Sequence, residues 1–206
     1  LLVLGGARLA PAQPGLSHLV PAAVEPGKTT TVTLHGTKLA GPLRAWTSFP
    51  AQIEFDSTDS KEKDRPTATC RITLAAAAPV GIGGLAVANA VAGTDIAFLM
   101  IDDVASIPEA GNNHAASAAQ PITLPIAVDG QGDGPQADYF RFAAKAGQRI
   151  SCELVAARLG WDFDGLIRVL DSGGKEILLV DDDAGSGTDP RFIFTAPADG
   201  NYVLEV

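Results

Sequence analysis

Short runs in which apolar and polar residues alternate recur along most of the chain, and this pattern restricts its fold more than any other feature. In "TTTVTLHG", Thr30, Val32 and Leu34 lie on one side of an extended chain and the intervening residues on the other. No long window keeps apolar residues at the spacing of about 3.6 that a helix requires. The alternation returns in "ATCRITL", "DIAFLMI", "YFRFAA", "RISCELVA", "LIRVLD", "EILLVDD", "FIFTA" and "NYVLEV". The sequence therefore predicts an all-β protein of short strands.

A break in this pattern divides the chain into two halves. Residues 105–125, "ASIPEAGNNHAASAAQPITLP", are rich in Ala, Asn, Ser and Pro and show no periodicity. Such a segment is typical of a linker, or of an N-terminal arm that runs across the next domain. The net charge of −9 is also uneven, with −1 in residues 1–104 and −8 in residues 105–206. We therefore predict two β-sandwich domains, at residues 1–104 and 126–206.

Composition argues against two classes of partner. An acidic chain without clustered Lys and Arg lacks the groups that bind the phosphates of DNA or RNA. No apolar run approaches the roughly 18 residues of a membrane span. The start, "LLVLGGARLAPAQPG", is typical of the end of a signal peptide, with a small-residue cleavage site at Ala10-Pro11-Ala12. We interpret residues 1–12 as a signal-peptide remnant, the alternative being an edge strand or a loose terminus.

The two cysteines predict structure rather than chemistry. Cys70 and Cys152 both alternate with apolar neighbours, so both side chains are expected to point into a core. We predict buried free thiols in separate cores, with an interdomain disulfide as the alternative. A zinc site is not expected, because the sequence has no CxxC pair and no Cys/His cluster.

No catalytic motif is found. The sequence lacks a GxSxG nucleophile elbow, an HExxH pair, a P-loop and a GxGxxG after a strand. His18, His35 and His114 are interpreted as solvated histidines of a terminus, a strand end and the linker. The acidic residues fall at turns and lack the apolar enclosure that raises the pKa of a carboxyl group. We therefore predict that the chain is not an enzyme.

The second half carries a family resemblance. The segments that carry it are "DYFRF", "AGQ", "ARLG", "DFDGLIRVLD", "DDDAGSGTDPR" and "APADGNYVLEV". Together with the arm, they make about residues 107–206 similar to the bacterial pre-peptidase C-terminal domain, a β-sandwich appended to many secreted proteases and other exported proteins. The resemblance implies a jelly-roll-like sandwich, with one or two further strands expected beyond Val206. Two residues depart from the family pattern: Gly165 stands where the family usually has Pro, and Pro190 where it often has Ser.

A weaker resemblance lies in the first half. The stretch "AAVEPGKTTTVTLHGTKLAGPLRAWTSFP" combines a Pro-Gly turn, an alternating strand and "GTKL". It is similar to the opening of immunoglobulin-like TIG-type domains. The resemblance implies that residues 1–104 form an immunoglobulin-like sandwich.

The aspartates of "LLVDDDAGSGTDPRF", residues 178–192, suit a turn between two strands. Asp side chains accept hydrogen bonds from nearby backbone amides, and Gly adopts positive φ freely. "DSGGKE" is interpreted as a tight hairpin for the same reason. Asp189 is expected to pair locally with Arg191, a contact of little energetic value if it is exposed.

Calcium binding is the alternative role for acidic residues of this half, because Ca²⁺ takes oxygen ligands from flexible loops. In some relatives of the pre-peptidase family, the arm and the acidic residue before the "YF" strand share calcium. Carried over, that resemblance implies a calcium site at Glu109, Asn112 or Asn113, Asp133 and Asp138. Asn113 stands where the family has Asp, and Gln136 where it has a second acidic residue, and both changes weaken the site. A separate site at Asp164 with Asp182 or Asp183 is a further alternative, and turn formation without any metal also stays open.

These features favour a binding role over catalysis. We predict a non-catalytic accessory region of a larger secreted, periplasmic or cell-surface bacterial protein, in contact with a polysaccharide, a protein, another surface polymer or a neighbouring domain. The alternatives are a structural or export-assisting spacer without a ligand and, more remotely, a fragment of a secreted hydrolase. Trp161, in the polar loop "LGWDFDG", is the aromatic residue expected at the surface, whereas Tyr139 and Tyr202 are expected in the core.

Overall fold

The computed structural model of the protein describes residues 13–56, 65–132 and 134–206. The described chain is all-β, as predicted, and its only helical turns are 3₁₀ turns at Ala116–Ala118 and Ala157–Leu159. The segment interpreted as a signal-peptide remnant lies outside the described residues. In chain order the strands are β1 (Gly15–Val20), β2 (Ala23–Val24), β3 (Thr29–Thr37), β4 (Arg44–Thr47), β5 (Gln52–Phe55), β6 (Thr67–Thr73), β7 (Gly81–Ala88), β8 (Ala97–Ile101), β9 (Ser106–Pro108), β10 (Gln120–Pro121), β11 (Ala127–Asp129), β12 (Tyr139–Ala144), β13 (Arg149–Glu153), β14 (Ile167–Leu170), β15 (Glu176–Val180), β16 (Arg191–Thr195) and β17 (Gly200–Glu205).

Two four-stranded sheets enclose the core of the first half. One sheet has the order β1-β3-β6-β5 and the other β2-β8-β7-β4. The predicted alternation of β3 is present, since Val32 and Leu34 are fully buried while Thr31 is exposed. Val32 lies opposite Cys70 of β6, which is also fully buried. Burial of each large apolar side chain in such a core contributes about 1.5–3 kcal/mol, so period-two patterning fixes which face of each strand points inward.

A second, separate core is formed by buried residues of the second half, with Ile122 and Leu124 of the arm packed against it. The five-stranded sheet β10-β12-β17-β14-β15 and the two-stranded sheet β13-β16 both contribute to it. Phe142, Phe194 and Tyr202 form its aromatic centre, with ring centroids 5.1–6.4 Å apart. The Tyr202 hydroxyl donates a 2.7 Å hydrogen bond to the carbonyl of Ala198, so the one polar atom of this buried ring is satisfied.

Residues 105–125 lie against the second half. Strand β9 pairs in parallel with β11, and β10 adds to the edge of the five-stranded sheet beside β12. Ala119 is buried together with Leu170 and Val203. These contacts are those of an arm rather than of a free linker. The domain boundaries at residues 104 and 125 remain predictions.

The two halves also contact each other. The backbone N–H of Ala22 donates to Oδ1 of Asp129, 3.1 Å away, and burial raises the pKa of this carboxyl group. The His18 ring stacks on His35, with centroids 4.1 Å apart, and lies 5.8 Å from the Trp161 ring. His18 and His35 are partly buried residues of β1 and β3, so neither is a fully solvated histidine, and His18 lies in a strand rather than in a terminus.

Both cysteines are buried and free, as predicted, and their reactivity is expected to be low. Burial raises the pKa of Cys70 and of Cys152 to about 11. Because the thiolate is the reactive form, a thiol reagent at neutral pH should label neither residue until the chain is unfolded in urea. Mass spectrometry of the labelled protein measures this directly. Rapid labelling of the folded chain would contradict the burial of these thiols.

Candidate functional site

The arm places Glu109 beside the start of the second half. Glu109 directly follows β9, and its backbone N–H donates to the carbonyl of Asp129 at the end of β11. One carboxylate oxygen, Oε2, accepts a 3.1 Å hydrogen bond from the N–H of Gln131. The other, Oε1, accepts a 3.0 Å bond from Nδ2 of Asn113. Backbone pairing and side-chain bonds therefore hold this carboxylate in one position.

Asn113 and Asp138 are brought to the same place by the start of β12. The Tyr139 N–H donates to the Asn113 carbonyl at 2.9 Å, which ties the arm to the strand. Asp138 directly precedes this strand and exchanges two backbone hydrogen bonds of 2.9 Å with Val206. Its side chain is mostly buried and its Oδ1 lies 2.8 Å from Nδ1 of His114. Glu109, Asn113, His114 and Asp138 thus form one cluster, which we call the arm cluster.

The electrostatics of the arm cluster are those of two carboxylates in close proximity. Burial, together with the negative charge of Glu109, raises the pKa of Asp138, and the bond to His114 opposes this shift. Asn113 is fully buried, and its Oδ1 has no hydrogen-bond donor among the described residues. A buried acceptor without a donor costs about 1–3 kcal/mol. Both features favour the approach of a cation.

The predicted ligand set is only partly assembled. The structure brings Glu109, Asn113 and Asp138 together, whereas Asn112 is exposed and stands outside the hydrogen bonds that join them. Asp133 lies outside the described residues. His114 was missed and is not a solvated linker histidine, because it is partly buried against Asp138. Its position directly after the two asparagines was the only available signal.

A second acidic group lies at the end of β15. Carboxylate oxygens of Asp164, Asp181 and Asp182 are within 4.8 Å of one another, and all three residues are exposed. Asp183 instead accepts hydrogen bonds from the Gly185 N–H and the Ser186 hydroxyl, at 3.2 and 2.8 Å. Of the two aspartates named as alternatives beside Asp164, the structure therefore places Asp182 next to it and not Asp183. Asp183 forms the predicted turn.

Asp189 does not pair with Arg191, so that expectation is wrong. It is fully buried and accepts hydrogen bonds from the backbone N–H groups of Ala156, Ala157 and Arg158 at 2.8–3.1 Å. The Arg158 guanidinium adds a 2.8 Å bond from Nε. Burial alone would raise the pKa of Asp189, but these donors outweigh it and hold the pKa below its usual value. The carboxylate fixes the 3₁₀ turn that leads to Trp161.

The three aromatic residues named from the sequence lie as follows. Tyr202 is in the core and Tyr139 is partly buried at the start of β12. Trp161 is 43% exposed, as expected, but it also faces His18 of the first half. Its ring is therefore only partly available to a ligand.

Comparison with known proteins finds a family match for part of the second half. Residues 136–206 match the family model for the bacterial pre-peptidase C-terminal domain. A probable subtilase-type serine protease of Deinococcus radiodurans is 37% identical over 70 residues, which are 34% of this chain and 9% of that protein. The chain thus corresponds to a small part of this relative. The immunoglobulin-like assignment of the first half remains a prediction.

Two solved structures align with most of this chain, with low TM-scores. The Yersinia pseudotuberculosis adhesin InvE matches 93% of this chain and 50% of its own, with 12% identity and a TM-score of 0.32. A Bacteroides ovatus protein of the mixed-linkage glucan utilization locus, solved with a mixed-linkage heptasaccharide, matches 92% and 38%, with 11% identity and a TM-score of 0.31. Within the described residues, no helix has the length and apolar character needed to cross a membrane.

Proposed function

We propose that this chain, whose residues 136–206 form a pre-peptidase C-terminal domain, is a non-catalytic accessory region of a larger exported bacterial protein. Its place is outside the cytoplasm, and its task is to contact a polymer, a surface component or a neighbouring domain. The protease relative supports this role, because the shared segment is only 9% of that protein's length. Glycan and extracellular-protein arrays test the binding role. A complete lack of binding in both would favour a structural spacer.

We further propose that the arm cluster holds calcium. The observation that carries this proposal is the fully buried Asn113, whose Oδ1 has no donor among the described residues and whose Nδ2 bonds to Glu109. Calcium is coordinated by carboxylates and by amide oxygens of this kind. Glu109, Asn113 and Asp138 would hold the ion, and its positive charge would offset the repulsion between the two carboxylates. The ion would thereby fasten the arm to β12.

Thermal unfolding tests the calcium proposal. A ligand that binds only the folded state stabilises it by about 2.7 kcal/mol at a hundredfold excess over the dissociation constant. We expect the unfolding temperature to be several degrees higher in millimolar calcium than in chelator, and Asp138→Ala to abolish the difference. The matched control is Asp182→Ala, which removes an exposed carboxylate of the other acidic group. No shift with the unmodified chain, or a shift that only Asp182→Ala abolishes, would contradict the proposal.

A further inference from the structure

Strand β15 is an edge of the five-stranded sheet. It pairs with β14 along one side, and no described strand pairs with its other side. An edge strand presents a row of backbone N–H and C=O groups that another extended chain can pair with. The register between β14 and β15 shifts only near Leu170, so most of β15 is regular.

The side chains of β15 leave this edge without the usual protection. Leu178 lies opposite Val169, which is fully buried, so Leu178 faces the core. Ile177 and Leu179, the residues on either side of it, point to the outer face and are 40% and 42% exposed. Natural edge strands are commonly protected by Lys or Pro, and "EILLV" contains neither. The strand therefore offers both unpaired backbone and apolar contact area.

The charge along this edge is asymmetric. At its beginning, Glu176 lies 3.5 Å from the Arg168 guanidinium, so opposite charges balance. At its end, Asp181 and Asp182 join Asp164 in the exposed acidic group, and none of the three forms an ion pair with a described residue. A segment that pairs with β15 would therefore meet a neutral beginning and a negative end.

We propose that the β15 edge binds an extended segment of another protein, with alternating apolar residues and with Lys or Arg at the end that lies beside Asp181 and Asp182. The exposed residues supply the apolar contacts, the open backbone supplies hydrogen bonds, and the acidic group selects the charge and direction of the segment. This proposal rests on the accessory role proposed above and names a class of partner for it.

A second copy of this chain fits the edge less well. If the β15 strands of two copies paired antiparallel, the β14–β15 hairpin of one copy would lie beside Asp181 and Asp182 of the other. That hairpin carries Asp171, Lys175 and Glu176, which supply no net positive charge. Each chain also carries a net charge of −9, which opposes self-association.

Synthetic peptides test the proposal. The probes are fluorescent peptides of alternating Val and Thr, with three Lys at the amino end or at the carboxyl end, and matched peptides with Glu in place of Lys. We expect the full chain to bind at least one lysine peptide and neither glutamate peptide, with affinity that falls as salt is added. N-methylation of alternate peptide amides should abolish binding. Binding of lysine and glutamate peptides alike, or of none, would overturn the proposal.

Three variants locate the binding site. Leu179→Lys should weaken binding about tenfold or more, because a charge is placed on the paired edge. The double variant Asp181→Lys, Asp182→Lys should reverse the preference, so that the glutamate peptides bind more tightly than the lysine peptides. An unchanged unfolding temperature would show that these exposed substitutions preserve the fold. The matched control is Ile193→Lys, at an exposed apolar residue of β16 in the other sheet. Loss of binding in this control but not in Leu179→Lys would place the site elsewhere and overturn the proposal.

Two further measurements separate the remaining alternatives. Sedimentation of the unmodified chain should show no dimer, and a dimer that Leu179→Lys dissociates would make the second copy the occupant instead. Binding is measured in calcium and in chelator, and also with Asp138→Ala. Peptide binding without an increase of the unfolding temperature in calcium would refute only the calcium proposal. An increase of the unfolding temperature in calcium without peptide binding would refute only the edge proposal.

Discussion

Replacement of Asp189 by alanine is expected to lower the free energy of unfolding by about 3–5 kcal/mol. The change removes a fully buried carboxylate and leaves three backbone N–H groups and the Arg158 guanidinium without their acceptor. Urea unfolding followed by circular dichroism measures the loss. Asp189→Asn keeps the shape but not the charge, so its effect should be smaller than that of alanine.

The matched control is Asp199→Ala. Asp199 also accepts a hydrogen bond from a backbone N–H, that of Ala146, and pairs with Lys145 at 3.0 Å, but its side chain is exposed. Solvent replaces such bonds at little cost, so this variant should unfold almost as the unmodified chain does. Equal losses in the two variants would show that burial of Asp189 is not the source of its effect.

The pH dependence of Asp189 follows from the direction of its shift. Its pKa is lower in the folded chain than in the unfolded chain, where it is about 3.9. Its stabilising contribution is therefore fully present above the unfolded pKa and is lost as the pH falls through the lower folded value. The difference in stability between the unmodified chain and Asp189→Asn should accordingly shrink on acidification below about pH 4.

Strands and their inward faces could be predicted from the sequence because side-chain direction has a period of two. Val32 and Leu34 in β3, and Phe142 and Ala144 in β12, lie on the faces that the alternation assigned to the core. The same pattern cannot reveal sheet order, because it contains no information about which strands are neighbours. "EILLV" was recognised as a strand, but its position at an edge depends on pairings elsewhere.

The role of Asp189 could not be predicted for a related reason. Its neighbours in sequence, Pro190 and Arg191, suggested a local ion pair at an exposed turn. Its actual partner, Arg158, lies 31 residues earlier and reaches it only because β13 and β16 pair. The residues next to Asp189 in the sequence predicted a polar contact. The tertiary structure determines the partner, and because it buries the carboxylate it also determines how much the contact stabilises the fold.

The arm cluster was predictable in part. The family resemblance named Glu109, either Asn112 or Asn113, Asp133 and Asp138, and the structure brings Glu109, Asn113 and Asp138 together. It could not decide between Asn112 and Asn113, because an irregular segment has no period from which the inward residue can be read. His114 was assigned to solvent for the same reason.

Because the two cores are separate, a large-to-small substitution in each of them tests the predicted domain boundary. Leu34→Ala should cost about 2–5 kcal/mol and Phe142→Ala about 3–5 kcal/mol, because each removes a buried side chain from a different core. If each half folds as a unit, the first change should affect only the unfolding of residues before 105, and the second only that of the later residues.

The two tryptophans allow each half to be followed separately. Trp46 lies in β4 and Trp161 follows the 3₁₀ turn of the second half, so Trp161→Phe leaves fluorescence from the first half alone and Trp46→Phe from the second alone. In urea, Leu34→Ala should shift only the Trp46 transition, and Phe142→Ala only the Trp161 transition. The hydrogen bond from Ala22 to Asp129 and the ring contact between His18 and Trp161 each couple the halves by about 1 kcal/mol, less than either substitution costs. Equal shifts at both tryptophans would show one cooperative unit and make the predicted boundary wrong.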